Sequence, residues 1–247
     1  MRKILFLLIL IILAKPALAC RPLLTDDSAP VRNGKIQIES GLISSYQRYI
    51  DYDSIILNSI KYGISNSIDF GIDVGYENLQ IVDFDPVAGF TDLVFKSKIN
   101  ILTPENNFVG ISALIGTKIN SADYEKFLGS GSTNYFANLI FTKLFGDHKL
   151  HLNVGYALIG DSPDEDFLDM LNYDLAFEYK LVETVCLVGE IVGTTNPHRY
   201  LYSQILLANL GANWQLSPTF VLDIGYGVGL NNTSLKNYFT TGVTINL

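Results

Sequence analysis

The chain has 247 residues, 48% of them hydrophobic and 12% aromatic, with a formal net charge of −8 and two cysteines. The acidic balance excludes the basic stripe that nucleic-acid binding needs, and so few cysteines exclude a disulfide-stapled scaffold or a cysteine-rich zinc site. No apolar stretch reaches the roughly 20 residues of a helical membrane span, so helical spans are excluded too.

Arg2 and Lys3 open the chain, an apolar run follows at 4–14, and Ala17-Leu18-Ala19 supplies small residues. That order is a secretory signal removed from the mature protein, which sets residues 1–19 outside the fold. Cleavage after Ala19 leaves Cys20 at the mature N-terminus. Plain processing competes there with lipidation, although the lipoprotein route prefers Leu where this chain has Ala17. Residues 20–34 are expected to form a periplasmic N-terminal segment, and 35–247 one outer-membrane domain.

From there the sequence reads as strands in series. Segments 35–48, 54–64, 68–76, 90–102, 108–119, 133–145, 149–159, 171–181, 185–193, 202–216, 219–230 and 237–247 make about twelve. Most have the roughly 9–14 residues that a tilted strand needs to cross an apolar band of about 25 Å. In the fourth, Leu93, Phe95, Ser97, Ile99 and Ile101 oppose Asp92, Val94, Lys96, Lys98 and Asn100. In the eighth, Tyr173, Leu175, Phe177, Tyr179 and Leu181 oppose Asn172, Asp174, Ala176, Glu178 and Lys180. The last sets Phe239, Thr241, Val243, Ile245 and Leu247 on one face. A Lys facing lipid near the midplane costs about 2–4 kcal/mol, so the charged faces must point inward. A slip of one residue would exchange the faces. Segment 133–145 is ambiguous, because Phe136 and Phe141 fall on opposite sides.

The connections alternate in length. Short turns at 65–67, 103–107, 146–148, 182–184 and 217–218 interleave with mostly longer loops at 77–89, 120–132, 160–170 and 194–201. Short periplasmic turns and long outer loops are the habit of outer-membrane barrels, and an even strand count returns both ends to the periplasm. Only helices or a closed barrel pair every backbone group inside lipid. The expected fold is therefore all-β: a closed antiparallel transmembrane β-barrel.

Four local motifs carry a resemblance. They are Arg21-Pro22-Leu23-Leu24-Thr25-Asp26-Asp27, Gly89-Phe90-Thr91-Asp92-Leu93, Gly129-Ser130-Gly131-Ser132-Thr133-Asn134-Tyr135 and Leu187-Val188-Gly189-Glu190. Together they resemble the bacterial outer-membrane family labelled meta-pathway phenol-degradation proteins, often called simply transporters. The resemblance implies an outer-membrane barrel associated with uptake of aromatic or hydrophobic compounds, and it brings no catalytic residues. Such barrels usually finish on Phe, where this chain has Leu247.

The inward set predicted from alternation is Glu39, Lys61, Asp69, Asp73, Asp92, Lys96, Lys98, Lys118, His151, Asp174, Glu178, Lys180, Glu190 and Asp223. Either these charges line a hydrated path, or they form a salt-bridge network that fills the barrel. Barrels of about eight strands are filled by side chains and porins of 16–18 are open, so about twelve lies between. Both signs are interspersed, which argues against strong ion selectivity. Inward glycines (Gly71, Gly75, Gly155, Gly225, Gly227, Gly229) either leave room or mark bends.

The outer loops are acidic, with Asp83, Asp85, Asp123, Glu125, Asp161, Asp164, Glu165, Asp166 and Asp169. Their spacing is not an ordered calcium-loop pattern, so a solvated surface is expected rather than a metal site. Leu79, Ile81, Val82, Phe84, Phe127 and Leu128 either meet a hydrophobic solute or pack into the mouth, and packing is the expectation. Tyr49, Tyr62, Tyr76, Tyr156, Tyr179, Trp214 and Tyr226 suit the two membrane interfaces. Of His148, His151 and His198, only His151 lies on a strand, inward and without a Ser motif, so neither an enzyme nor a cofactor is expected. Cys186 near a periplasmic turn and Cys20 admit a disulfide that ties the N-terminal segment beneath or into the lumen. A free Cys186 packed in the wall is the alternative.

The reading at this level is passive passage of small solutes, with a closed-lumen structural or surface-interaction barrel and a lipid-modifying enzyme as alternatives. The partners implied are outer-membrane lipid and lipopolysaccharide, the barrel-assembly machinery and small solutes, with no nucleic acid.

Overall fold

The computed structural model describes residues 21–47, 50–161, 167–197 and 204–247. The signal at 1–19, Cys20, Tyr49, Asp164, Glu165, Asp166 and His198 lie outside the described residues.

Thirteen strands form one sheet: β1 (Ile36–Gln47), β2 (Ile50–Gly63), β3 (Ile68–Ile81), β4 (Val87–Phe90), β5 (Leu93–Leu102), β6 (Gly110–Ile119), β7 (Asn134–Phe145), β8 (His148–Leu158), β9 (Met170–Val182), β10 (Val185–Thr194), β11 (Ile205–Ser217), β12 (Phe220–Gly229) and β13 (Asn237–Asn246). All ladders are antiparallel between neighbours. The sheet closes because β1 pairs with β13 and β2 with β3. Twelve long strands make the barrel, and β4 is a short addition on the upper half of β3. Closure removes every long sheet edge, which is what lipid demands. Ile36 N–H donates to Leu247 O and Leu247 N–H to Ile36 O, at 3.1 and 2.8 Å, so the chain's last residue seals the seam.

The outer wall is apolar, as alternation requires. Ile60, Ile72, Leu139, Leu175, Phe177, Ile191 and Ile224 are all exposed. Tyr62, Tyr76, Tyr156, Tyr179, Trp214 and Tyr226 stand exposed toward strand ends. In β7 the odd positions face out, so Phe136 turns inward. It can do so because Gly116 lies beneath it on β6, where any Cβ would collide with the Phe136 ring.

Three departures from the expected strands share one place. β2 starts at Ile50 rather than 54, and β3 runs to Ile81 rather than 76. This hairpin rises as a lip because Ile50, Leu79 and Ile81 bury one another, with Val87 and Phe127 against them. The expected strand 90–102 is interrupted at Thr91-Asp92: Asp73 faces Val94 while Tyr76 faces Phe90, so one extra residue is bulged out. A bulge reverses the facing of what lies beyond it, and Phe90 accordingly points outward against Tyr76, ring centroids 5.3 Å apart. Phe127 closes a single helical turn in the loop after β6. Leu128 N–H donates to Asp123 O and Phe127 N–H to Tyr124 O. Phe127 takes a left-handed φ of 63°, the pattern of a Schellman cap. Phe84 packs edge-on against its ring.

Candidate functional site

Residues 21–33 of the N-terminal segment run inside the barrel. They make one circuit of the inner wall, residue by residue. Arg21 Nε and Nη2 donate to the two Asp223 oxygens at 3.0 and 3.1 Å, and Nη2 also reaches Thr240 Oγ1 at 2.8 Å. The guanidinium lies over Gly41 and Gly242, and Pro22 lies over Gly211 and Gly225; a Cβ at any of the four would strike them. Pro22 O accepts from Asn209 Nδ2 on β11 at 3.0 Å. Leu23 packs on Ala176 and Val188 of β9 and β10. Leu24 N–H and Thr25 N–H donate to the Glu190 carboxylate at 2.9 Å, and Thr25 Oγ1 at 2.7 Å.

The circuit then crosses to β8 and beyond. The Asn153 amide, with its oxygen toward Asp26 N and its nitrogen toward Asp26 O, grips that peptide from both sides. Lys98 on β5 pairs with Asp26 at 2.7 Å and Asp27 at 3.5 Å. Ser28 N–H donates to Thr142 Oγ1 on β7 at 2.9 Å, and Ser28 O accepts from Asn100 Nδ2 at 2.9 Å. Val31 N–H donates to Asp69 Oδ2 at 2.8 Å, and Asn33 bridges Gly63 at the base of β2. The segment thus descends as a belt from mid-wall to the end where β2 turns into β3. Of the glycines expected to face inward, Gly225 makes room for the belt; Gly41, Gly211 and Gly242, not singled out from the sequence, do the same.

The predicted inward set is placed as follows. Glu39, Lys61, Asp69, Asp73, Asp92, Lys96, Lys98, His151, Asp174, Glu190 and Asp223 are buried in the lumen, and Lys118 and Glu178 are nearly so. Lys61 pairs with Glu39 at 3.0 Å, Lys96 with Asp73 at 2.7 Å, and Lys118 approaches Asp92 at 3.9 Å. Most of these charges are therefore partnered with each other or with the belt; Asp174 has no ion pair among the described residues. Lys180 is the exception to the inward placement. It is exposed at the base, 3.5 Å from Asp147 in the β7–β8 turn, because its strand has left the barrel interior there.

His151 sits in a chain that looks like a hydrolytic relay. Thr142 Oγ1 lies 3.0 Å from His151 Nδ1, and His151 Nε2 lies 3.0 Å from Glu178 Oε1. The would-be nucleophile is buried and already accepts the Ser28 amide. The relay fastens the belt and offers no oxygen to a substrate.

Asp92 organises the outer mouth. Its carboxylate accepts from Ser121 N–H and Ala122 N–H at 3.0 Å, Ser130 N–H at 2.8 Å and Ser130 Oγ at 3.0 Å. Loop 120–133 is thereby folded over the mouth, with Leu128 buried on Gly89. In the same loop Lys126 pairs with Asp123 at 2.8 Å, and that bond holds the Asp123 carboxyl below and the Lys126 amine above its ordinary range. Among the described residues no cluster of metal-ligating side chains is present. Asp169 instead accepts from Tyr156 OH and Ile159 N–H. Cys186 is a free, half-buried thiol beside the Leu23 cluster.

Above the belt, between β5 and β10, lies a cavity of about 120 Å³. Leu24 and Asp26 form its floor; Leu114, Phe136, Met170 and Val192 line it with a ring of Asn side chains and Asp174. Neither the belt nor the cavity was visible as such in the sequence. Residues 21–33 have no period, and their partners lie up to 219 positions away.

Solved structures share the architecture. An outer membrane channel from Pseudomonas putida F1 superposes with a TM-score of 0.74 at 11% identity, covering 90% of this chain and 98% of that one. The NanC porin gives 0.63 at 11%, covering 86% and 100%. The KdgM porin gives 0.54 at 11%, covering 84% and 98%. A search of curated protein sequences finds no match. The sequence model described as "Putative MetA-pathway of phenol degradation" matches residues 21–247, and the chain belongs to that family.

Proposed function

We propose that this protein is an outer-membrane channel for passive passage of small solutes, hydrophobic or aromatic ones among them, and that residues 21–33 set its open area. The observation that carries the reading is the belt: a segment without a strand of its own encircles the lumen, held mostly by wall side chains. A filled, permanently closed plug needs no cavity above it, yet one lies there with a mixed apolar and amide lining. The family's description supplies the aromatic direction, and the channel and porin neighbours agree with passage. Solutes reach the mouth from outside and leave to the periplasm past the belt. This reading uses no catalytic step: in the relay at His151, Thr142 Oγ1 already accepts the Ser28 amide.

Single-channel conductance in planar bilayers tests it. The full chain should give small, infrequent steps. Deletion of residues 21–33 should raise the step size several-fold, with retained heat-modifiable gel mobility showing that the wall still forms. Silence from both proteins, each correctly folded, means a closed-lumen surface barrel and sinks the channel.

A further inference from the structure

The lipid-facing wall carries a few polar side chains, and three of them are satisfied by the wall itself. Ser97, opposite Phe70 and Ile115, donates its hydroxyl to Asp69 O at 2.6 Å. Thr117, opposite Phe95 and Tyr135, donates to Asn134 O at 3.0 Å. Thr241, opposite Leu42 and Ile224, donates to Asp223 O at 2.9 Å. A carbonyl has two lone pairs, so each hydroxyl is met without help from outside. Strand β2 breaks that habit. Asn58 lies opposite Ser40 on β1 and Val74 on β3, and it alternates with the buried Ser59 and the exposed Ile56 and Ile60 stand two positions away. It therefore points to lipid. Ser40 Oγ donates to its Oδ1 at 2.8 Å, and its Nδ2 finds no acceptor among the described residues. Tyr62 and Tyr52, exposed rings toward the two ends of β2, bracket it. At the rise and tilt of such strands Asn58 is about 10 Å from the first ring and about 15 Å from the second, near the middle of a band roughly 25 Å tall. Neither water nor headgroup reaches that depth, and an amide N–H left unmet in hydrocarbon is costly.

We propose that this face of the barrel, centred on Asn58 between β1 and β3, binds a second copy of the chain. Chains inserted in one orientation carry Asn58 at one depth, so a two-fold axis along the membrane normal brings the two residues together. A primary amide is its own complement. Nδ2 of each copy donates to Oδ1 of the other, whose second lone pair Ser40 leaves unused. Apolar side chains alone cannot choose a partner here, because acyl chains are as apolar as another wall; the amide pair supplies the preference. Ser40 and Ser44 keep β1 low beside the contact, and Val74 and Val243 flank it, so two walls can approach to hydrogen-bond distance. The contact lies wholly outside the lumen. Each copy keeps its own interior, and the association stands whether that interior conducts or not.

Sedimentation equilibrium in density-matched micelles measures the association. The full chain should dimerise reversibly, and Asn58→Leu should weaken the dimer about tenfold. That substitution takes a polar group out of lipid, so the variant's own unfolding temperature should not fall, as it would if Asn58 served the wall. Asn58→Gln, which restores an amide, should recover part of the association. Disulfide trapping in phospholipid vesicles locates the contact. In a Cys186→Ser background, Ser40→Cys should cross-link two chains, while Leu175→Cys on the opposite side of the ring should not. The background itself, which keeps Cys20, sets the baseline. A parent that stays monomeric in micelles and untrapped in vesicles, equal association of parent and Asn58→Leu, or trapping through Leu175 as readily as through Ser40 overturns the proposal. Should Asn58→Leu fail to fold, the trapping pair, run with Asn58 intact, decides.

Discussion

Glu190 shows why single buried charges matter here. Its carboxylate collects Leu24 N–H, Thr25 N–H, Thr25 Oγ1 and Asn209 Nδ2, every one a donor. Glu190→Gln keeps the volume but turns an amide nitrogen toward donors. It should loosen the belt by about 1–3 kcal/mol, seen as a higher open fraction in bilayers with unchanged step size. Arg21 and Asp223 behave differently. Removing Arg21 leaves Asp223 buried and unpaired, at a cost of about 3–5 kcal/mol, whereas removing both is far milder. Arg21→Ala should therefore open the channel more than Arg21→Ala with Asp223→Ala. Equal opening by the single and double variants would mean that the ion pair does not hold the belt. At this scale the sequence was partly legible. Alternation located Glu190 and Asp223 on the inner face, but nothing in it named Thr25 or Arg21 as their partners. Such contacts join a segment without period to strands far along the chain.

At the scale of elements, the two motifs around Asp92 and Ser130 turn out to be one device. Gly89-Phe90-Thr91-Asp92 bulges the strand so that a carboxylate stands at the rim, and Gly129-Ser130-Gly131 brings Ser130 N–H and Oγ to it. The sequence displayed both motifs without showing that they touch. Asp92→Asn halves the acceptor capacity facing these donors and removes the charge beside Lys118. Loop 120–133 should then leave the mouth. Limited proteolysis near Tyr124–Lys126 should cut the variant well before the parent, with the barrel core intact. Unchanged protection would show that Leu128 on Gly89, not Asp92, holds the loop. Period-two reading succeeded wherever strand faces differ sharply, as in β5 and β9. It stalled at β7, where Gly116 on the neighbouring strand decides that Phe136 goes inward. It stopped short at the lip, where Glu77 and Gln80 interrupt the apolar beat that Leu79 and Ile81 continue.

The whole molecule has two parts held by different physics. The wall is a closed ring of continuous ladders, in which each of the twelve long strands is paired on both sides. The belt has no ladder: a backbone bridge joins Asn33 to Gly63, and most of its other bonds run through side chains that can let go separately. Local opening draws on the least cooperative contacts first. The belt amides of Leu24, Thr25, Ser28 and Val31 should consequently exchange with solvent faster than ladder amides of β9 and β12, although Thr25 and Ser28 are buried. Moderate urea should free the belt while the wall stays folded, and deletion of 21–33 should lower the wall's own unfolding temperature by only a few degrees. Hydrogen-exchange mass spectrometry on the belt peptide, compared with peptides from β9 and β12, measures this directly. Should the belt exchange as slowly as the ladders and unfold with them, it is a structural core of the barrel, and a gate made of it is impossible.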